Sequence, residues 1–279
     1  MTDFATLYRN RFGFEAPDLD GIPADLSALA PLLARGSQRR FRDEPVSEGL
    51  LAALLACAQS APTKSNLQQY SIVVLSDPET RKRFLERIVP QVRWAATAPL
   101  LLVFLGDVRR GRRIAAHRGY EHRNDNVDTF MNAAVDAALA MQCFIAAAEA
   151  VGLGCCPLSV VRNHLDALAD LLALPPGVFP IAGLAAGWPE GAAEVSLRLP
   201  PEIVVHRDRY DDGGLEAAVE SYDDRVFAAR PIPPEKQRHV DRYGVAERGV
   251  WSENVARQLS LPERPEFRDW LRRQELNLK

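Results

Sequence analysis

Four guanidiniums and a hydroxyl fall within eight residues in the run Arg35-Gly-Ser-Gln-Arg39-Arg40-Phe41-Arg42. Guanidinium forks match phosphate oxygens bidentately, and a hydroxyl adds a neutral donor. In extended chain Arg35, Ser37 and Arg39 point to one side and can converge on one anion. Composition alone reads the same run as a solvated turn. A second candidate is the polar loop Pro62-Thr-Lys-Ser-Asn66-Leu-Gln68-Gln. Asn66, Gln68 and the loop amides offer the donors and acceptors that a planar heteroaromatic edge requires. The plainer alternative is an ordinary helix-to-strand connection. Third is Arg162, expected at a helix start beside free N–H groups, where phosphate also binds, or else a surface arginine.

What is missing narrows the chemistry. No Gly-x-Gly-x-x-Gly follows a strand, and no Walker loop, Gly-x-Ser-x-Gly elbow or His-Glu-x-x-His pair occurs. The five histidines, at 117, 122, 164, 206 and 239, lack metal-ligand spacing, so no metal is expected. Cys57, Cys143, Cys155 and Cys156 form neither a zinc pattern nor a Cys-x-x-Cys pair. All four are expected to be reduced, buried, small hydrophobes. Without a nucleophile and base, the chemistry is expected to come from a cofactor that the protein binds and orients.

These groups need elements to position them. Residues 1–33 read as a helical lead-in broken by Pro17 and Pro23. Ser47 and Glu48 start a helix with an apolar stripe through Leu50, Leu51, Leu54, Leu55 and Ala58, which stops near Ala61 before Pro62. Tyr70–Leu75 reads as a strand, and Asp77-Pro78 turns into a charged helix to about Ile88. Pro99–Leu105 is almost wholly apolar, as a strand buried on both faces should be. Asn126–Val151 is the strongest helical segment, ended by Gly152. Leu153–Leu158 and Val178–Ala186 read as strands, with a helix between them opening at Arg162-Asn163. Beyond Arg198, Ile203–Val205 is strand-like, while Leu215–Phe227 and roughly Glu266–Gln274 are helical. Interleaved, irregularly connected elements point to one α+β domain with helices around a mixed sheet.

Composition excludes several classes. With 279 residues, 30.9 kDa, 47% hydrophobic and 25% charged residues, the chain is globular and holds one large core or two small ones. The 34 basic and 37 acidic residues give −3 and a pI near 6.0, so nucleic acid and anionic membranes are not expected partners. The apolar stretch Ala98–Leu105 is far short of the roughly 20 residues a bilayer span needs. The start, MTDFATLYRN, lacks a signal-peptide core, and a cytoplasmic location is expected.

The order of these pieces resembles the FMN-dependent nitroreductase family. The match runs from Arg35-Gly-Ser-Gln-Arg-Arg-Phe41 and Ala61-Pro-Thr-Lys-Ser-Asn66-Leu-Gln68 through Asp136-Ala-Ala-Leu-Ala-Met-Gln142, Gly152-Leu-Gly154 and Arg162-Asn163 to Leu184-Ala-Ala-Gly-Trp-Pro189. Arg198-Leu-Pro-Pro-Glu-Ile-Val-Val-His-Arg-Asp-Arg-Tyr210 is similar to the NADPH-preferring flavin reductase and oxygen-insensitive nitroreductase branch. The resemblance implies an α+β fold with a mainly antiparallel central sheet. It divides the chain into a lead-in (1–33), an FMN-binding core (34–200) and a C-terminal extension (201–279) embracing a homodimer partner. Two FMN sites would lie at the subunit interface.

Carried over residue by residue, Arg35, Ser37 and Arg39 would hold the FMN phosphate and ribityl chain, with Arg162 a further phosphate contact. Thr63, Lys64, Ser65 and Asn66 would line the flavin, with Lys64 the cation nearest its pyrimidine edge. Gln68 and Gln91 are further candidates, and Leu158, Ser159 and Val160 would pass beside the ring. Arg198 would meet the extra phosphate of NADPH. Gly36, Gln38 and Cys155–Val160 depart from the family's usual residues.

The implied reaction takes hydride from NADPH through flavin N5 to nitroaromatic, quinone or flavin acceptors by ping-pong exchange. The alternatives are another FMN reaction (dehalogenation, flavin modification or peptide oxidation) or a non-enzymatic anion or nucleic-acid binder. The arginine-rich segment 107–123 reads as a solvated loop, or as a lid in the second case. Leu215–Phe227, Trp251 and Trp270 carry an apolar face without a private core, which a partner subunit is expected to cover.

Overall fold

The computed structural model describes residues 3–18 and 24–279, so Pro23 lies outside the described residues. Two compact units form: residues 35–194 with 264–279, and the N-terminal segment to Ala34 with 195–263.

In the first unit, four strands make one sheet in the order β1-β2-β4-β3: β1 (Tyr70–Val74), β2 (Leu100–Asp107), β3 (Gly154–Leu158) and β4 (Val178–Gly187). Every pairing is antiparallel, so the mixed sheet expected from the interleaved elements contains no parallel pair among the described strands. β2 is buried at all of its positions because both sheet faces are covered. On one face Leu102, Phe104 and Leu184 pack under the helices Glu48–Gln59 and Val127–Ala150. On the other, Leu101, Val103 and Leu105 meet Phe84, Ile88 and Leu168.

Local chemistry sets the helix boundaries. Ser47 caps Glu48–Gln59 by accepting from the Leu50 amide, and Asn126 caps Val127–Ala150 by accepting from Thr129. Val127–Ala150 is long and apolar enough by length and composition to cross a membrane. Here it packs Ala133, Ala137, Ala140, Phe144 and Ala148 on the sheet side. Small residues let it lie close to the strands.

Several sequence expectations change. Trp270 does not face a partner: it is wholly buried in its own chain with Val108, Phe179 and Leu165, because Arg264–Lys279 returns to the first unit. Segment 107–123 is not a solvated loop. Residues Arg109–His117 form a helix, anchored by Arg112 to Asp125 at 2.8 Å and by Arg110 to Asp107 at 3.2 Å. Arg162 lies within a 3-10 turn, Ser159–Asn163, and the α-helix starts only at Leu165. Cys57 is exposed and Cys143 half-buried; only Cys155 and Cys156 are buried.

In the second unit Ile203–Val205 is not a strand. Pro201 and Glu202 begin a short helix, Pro201–Val204, for which a fixed proline φ at the first turn is well suited. Tyr222 on the helix Leu215–Ala229 stacks edge-on against Trp251, so this unit buries part of its own apolar surface.

Candidate active site

The segment Arg35–Arg42 runs beside the sheet as an extended edge. Gln38 donates its amide to the Cys155 carbonyl at 3.0 Å, Glu190 donates to Arg40 at 2.9 Å, and Arg42 donates to Trp188 at 2.9 Å. Extended geometry sorts the side chains by parity. At the even positions, Gly36 lies so close to Glu194 that a Cβ would sit 2.4 Å from its carbonyl oxygen. Gln38 is buried, its stem against Gly154. Its Nε2 donates to Gly191 O at 2.8 Å, and its Oε1 accepts from the Arg39 and Arg40 amides at 3.0 and 3.2 Å. The two residues that break the usual family pattern therefore fasten the segment, and the odd positions carry Arg35, Ser37 and Arg39.

Arg35 is half-buried against Glu149 at 3.2 Å, while Arg39 is exposed. Beneath them lie two buried thiols. Burial chiefly pushes Cys155 up to about 12, with the Glu149 carboxylate adding to it and Arg35 opposing. Burial raises Cys156 as well, while the charge of Arg39 and a hydrogen bond from Ser37 pull it partway back. Both thiols are neutral near pH 7, so neither is a nucleophile in waiting.

The second group is built differently. Ser65, Asn66 and Gln68 all adopt left-handed backbone, with φ of 50°, 57° and 51°. Non-glycine residues hold that conformation only where their surroundings over-determine it. Here the buried carboxylate of Asp136 on the long helix accepts from the Lys64 amide at 3.0 Å and from the Gln69 amide at 3.0 Å. Arg110 adds a brace, donating to the Gln68 carbonyl at 2.7 Å and the Tyr70 carbonyl at 2.9 Å. Thr63 Oγ1 accepts from the Gln68 amide at 3.4 Å, and Gln68 Nε2 donates to Asn66 Oδ1 at 3.3 Å. Lys64, Ser65, Asn66 and Gln68 stay exposed.

These two groups are not brought together within one chain. The clamp meets the long helix at Glu149 and the loop meets it at Asp136. Those positions are about 20 Å apart along the axis at 1.5 Å per residue. The sheet register agrees: Cys155 pairs with Ala186 at the Leu100 end of β2, whereas Tyr70 pairs with Gly106 at the other. Leu158 is buried at the end of β3, Ser159 is exposed, and Arg162 donates to the Ile181 carbonyl instead of lying at a helix start. Val160 packs partly into the core, and Gln91 is exposed on the turn after Ile88. Arg198 belongs to the second unit, where its amide donates to Arg11 O at 2.8 Å and Tyr222 donates to Leu197 O at 3.0 Å.

Sequence reading assigned no role to Asp136, Arg110 or Glu149. Asp136 had a signal, since it is an acid on the helix face that also presents Ala133, Ala137 and Ala140. A carboxylate there must find donors or pay the cost of burial.

The fold is shared with known proteins. Residues 32–188 match the model of the nitroreductase family, and residues 196–279 match that family's C-terminal domain. The chain belongs to the nitroreductase family. Among nitroreductases, an FMN reductase [NAD(P)H] of Bacillus subtilis is 31% identical over 242 residues, covering 85% of this chain and 93% of the relative. An oxygen-insensitive NADPH nitroreductase of Salmonella typhimurium is 30% identical over 246 residues, covering 87% and 95%. The solved structure of the hypothetical oxidoreductase YcnD from Bacillus subtilis superposes with a TM-score of 0.81 at 29% identity, covering 90% of this chain and 98% of that one.

The clamp's donor set suits a nitroreductase cofactor. Two guanidiniums and a hydroxyl on one side of an extended segment fit the phosphate of FMN, which carries about −1.5 to −2 charge. The exposed side chains of Lys64, Ser65, Asn66 and Gln68 suit the alternating donors and acceptors of a flavin edge.

Proposed function

We infer that this chain works as a homodimeric, FMN-dependent oxidoreductase, in which each flavin lies between the clamp of one protomer and the Pro62–Gln69 loop of its partner. The carrying observation is the separation of the two groups along one rigid helix. Within a single copy the clamp and the loop are tied to that helix at points about 20 Å apart along its axis, and a twofold-related copy supplies the missing half of each site. An apolar stripe on that helix supports the pairing. Val127, Met131, Val135 and Leu139 recur every four residues and are 53%, 60%, 49% and 36% exposed.

The bound flavin supplies hydride acceptance and donation at N5; the reductant is NADPH and the acceptors are small nitroaromatics, quinones or flavins. The protein's part is binding and orientation. Arg35, Ser37 and Arg39 hold the phosphate and ribityl chain, with Arg162 beside them. Thr63, Lys64, Ser65 and Asn66 align the ring, and Gln68, Gln91 and the Leu158–Val160 backbone complete its surroundings. The Lys64 cation offsets negative charge on the ring's pyrimidine side. Arg198 recognises the extra phosphate of NADPH. Free cysteines among the described residues and an NADPH reductant fit the cytoplasm.

Two measurements test this reading. Under nitrogen the purified protein should be yellow and bleach on adding NADPH. A flavin that persists would overturn the reductase reading, and a protein that takes up no FMN would overturn the site. Co-expression of Arg39→Gln with Asn66→Ala chains should recover about half of the active sites in heterodimers, since one of their two sites is then intact. No recovery would place the whole site within one chain.

A further inference from the structure

A cavity of about 660 Å³ opens in the first unit between the helix Arg109–His117 and the far ends of β1, β2 and β4. Sheet register separates it from the clamp: it is lined by Asp107 and Val178, whereas the clamp sits by the Leu100 and Ala186 end. Its volume is that of a small-molecule site.

The lining has two chemistries. The sheet and the Leu172–Pro175 turn supply Val73, Leu105, Val178, Leu172 and Leu174, with Ile114 opposite on the helix. All are aliphatic, and no Phe, Tyr or Trp lines the cavity. The cations Arg109, Arg110 and Arg113, with His117 beside them, come from one helix face. Asp107 is the one carboxylate lining the cavity. It is already taken, by Arg110 at 3.2 Å, the Arg110 amide at 2.9 Å and Ser71 Oγ at 2.7 Å. Arg109 and Arg113, one helical turn apart, make no side-chain hydrogen bond or ion pair among the described residues. Two uncommitted guanidiniums therefore rim an aliphatic groove.

We propose that this groove binds a medium-chain aliphatic carboxylate, its head group between Arg109 and Arg113 and its alkyl chain along Ile114, Leu172 and the β1–β2 face. Paired guanidiniums favour a carboxylate over a neutral head, and the aliphatic walls favour a flexible chain. The inference does not depend on where the flavin lies.

The test is calorimetric titration of the FMN-loaded protein with hexanoate, octanoate and decanoate. Saturable binding should strengthen with chain length, by up to about fourfold per added methylene from the roughly 0.8 kcal/mol each contributes. Decanol and inorganic phosphate should each bind at least about tenfold more weakly than decanoate. Arg113→Gln should weaken decanoate about tenfold, and Ile114→Ser should flatten the chain-length trend. Both positions are exposed, so folding and flavin content should not change. No saturable decanoate binding would overturn the proposal. So would decanoate affinity unchanged in both variants, or phosphate or decanol binding as tightly as decanoate.

Discussion

The clamp and the Pro62–Gln69 loop present polar groups outward, yet they are held by opposite means. The clamp is ordinary extended backbone, fastened through its even residues: Gly36 by close approach to Glu194, and Gln38 by three hydrogen bonds. The loop is left-handed at three non-glycine residues and is held by one buried carboxylate. An alternating strand can anchor and present within one stretch of sequence. A tight loop has no second face, so its anchor must come from elsewhere in the chain, here the long helix.

The loop should therefore break at a distance and the clamp from within. The largest effect is expected from Asp136→Ala. Two amides, Gln69's buried and Lys64's partly so, lose a carboxylate acceptor, which costs about 3 kcal/mol at roughly 1.5–3 kcal/mol per charged hydrogen bond. Urea denaturation should show that loss, and flavin affinity should fall although Asp136 never reaches the surface. Asp136→Asn, which keeps one acceptor, should fall between wild type and Asp136→Ala.

Next comes Gly36→Ala, whose Cβ would sit 2.4 Å from the Glu194 oxygen. A forced shift of that backbone should cost about 1–3 kcal/mol, and FMN should bind more weakly because Arg35 and Ser37 move with it. Arg39→Gln sharpens the contrast from the other side. Its exposed side chain should change the unfolding midpoint little, within about 0.5 kcal/mol, while the Kd for FMN rises at least tenfold by equilibrium dialysis.

Near neutral pH the smallest effect is that of Cys155, which shows only as the pH rises. Cys155 is held protonated up to about pH 12 when folded, whereas a free thiol in the unfolded chain ionises near 8.5. Between those values the unfolded state has released the proton and the native state has not, so stability falls as pH rises, by up to about 1.4 kcal/mol per pH unit. Cys155→Ala should flatten this alkaline decline and leave stability between pH 6 and 8 without a new slope. In native protein, iodoacetamide should label exposed Cys57 well before Cys155.

Much of the scaffold was legible because local rules are strong there. The apolar run Leu100–Asp107 and the capped, alanine-rich Val127–Ala150 announce themselves by period and punctuation. Segment 107–123 was misread because charge density alone suggests solvation; Asp107, Asp125 and the Gln68 carbonyl, which hold its helix down, come from separate stretches. Ile203–Val205 was misread because a β-branched run says strand until no neighbour pairs with it.

By itself, then, the sequence determined the element order and the family, since each rests on residues near one another or on motif order. Only the tertiary structure decided that Asp136 shapes the Asn66 loop and that Gln38 is a fastener. It also decided that Trp270 belongs to its own core and that the clamp and the Pro62–Gln69 loop are tied to one helix at well-separated points. Those outcomes depend on distances between segments far apart in the chain, which side-chain type and spacing do not encode locally.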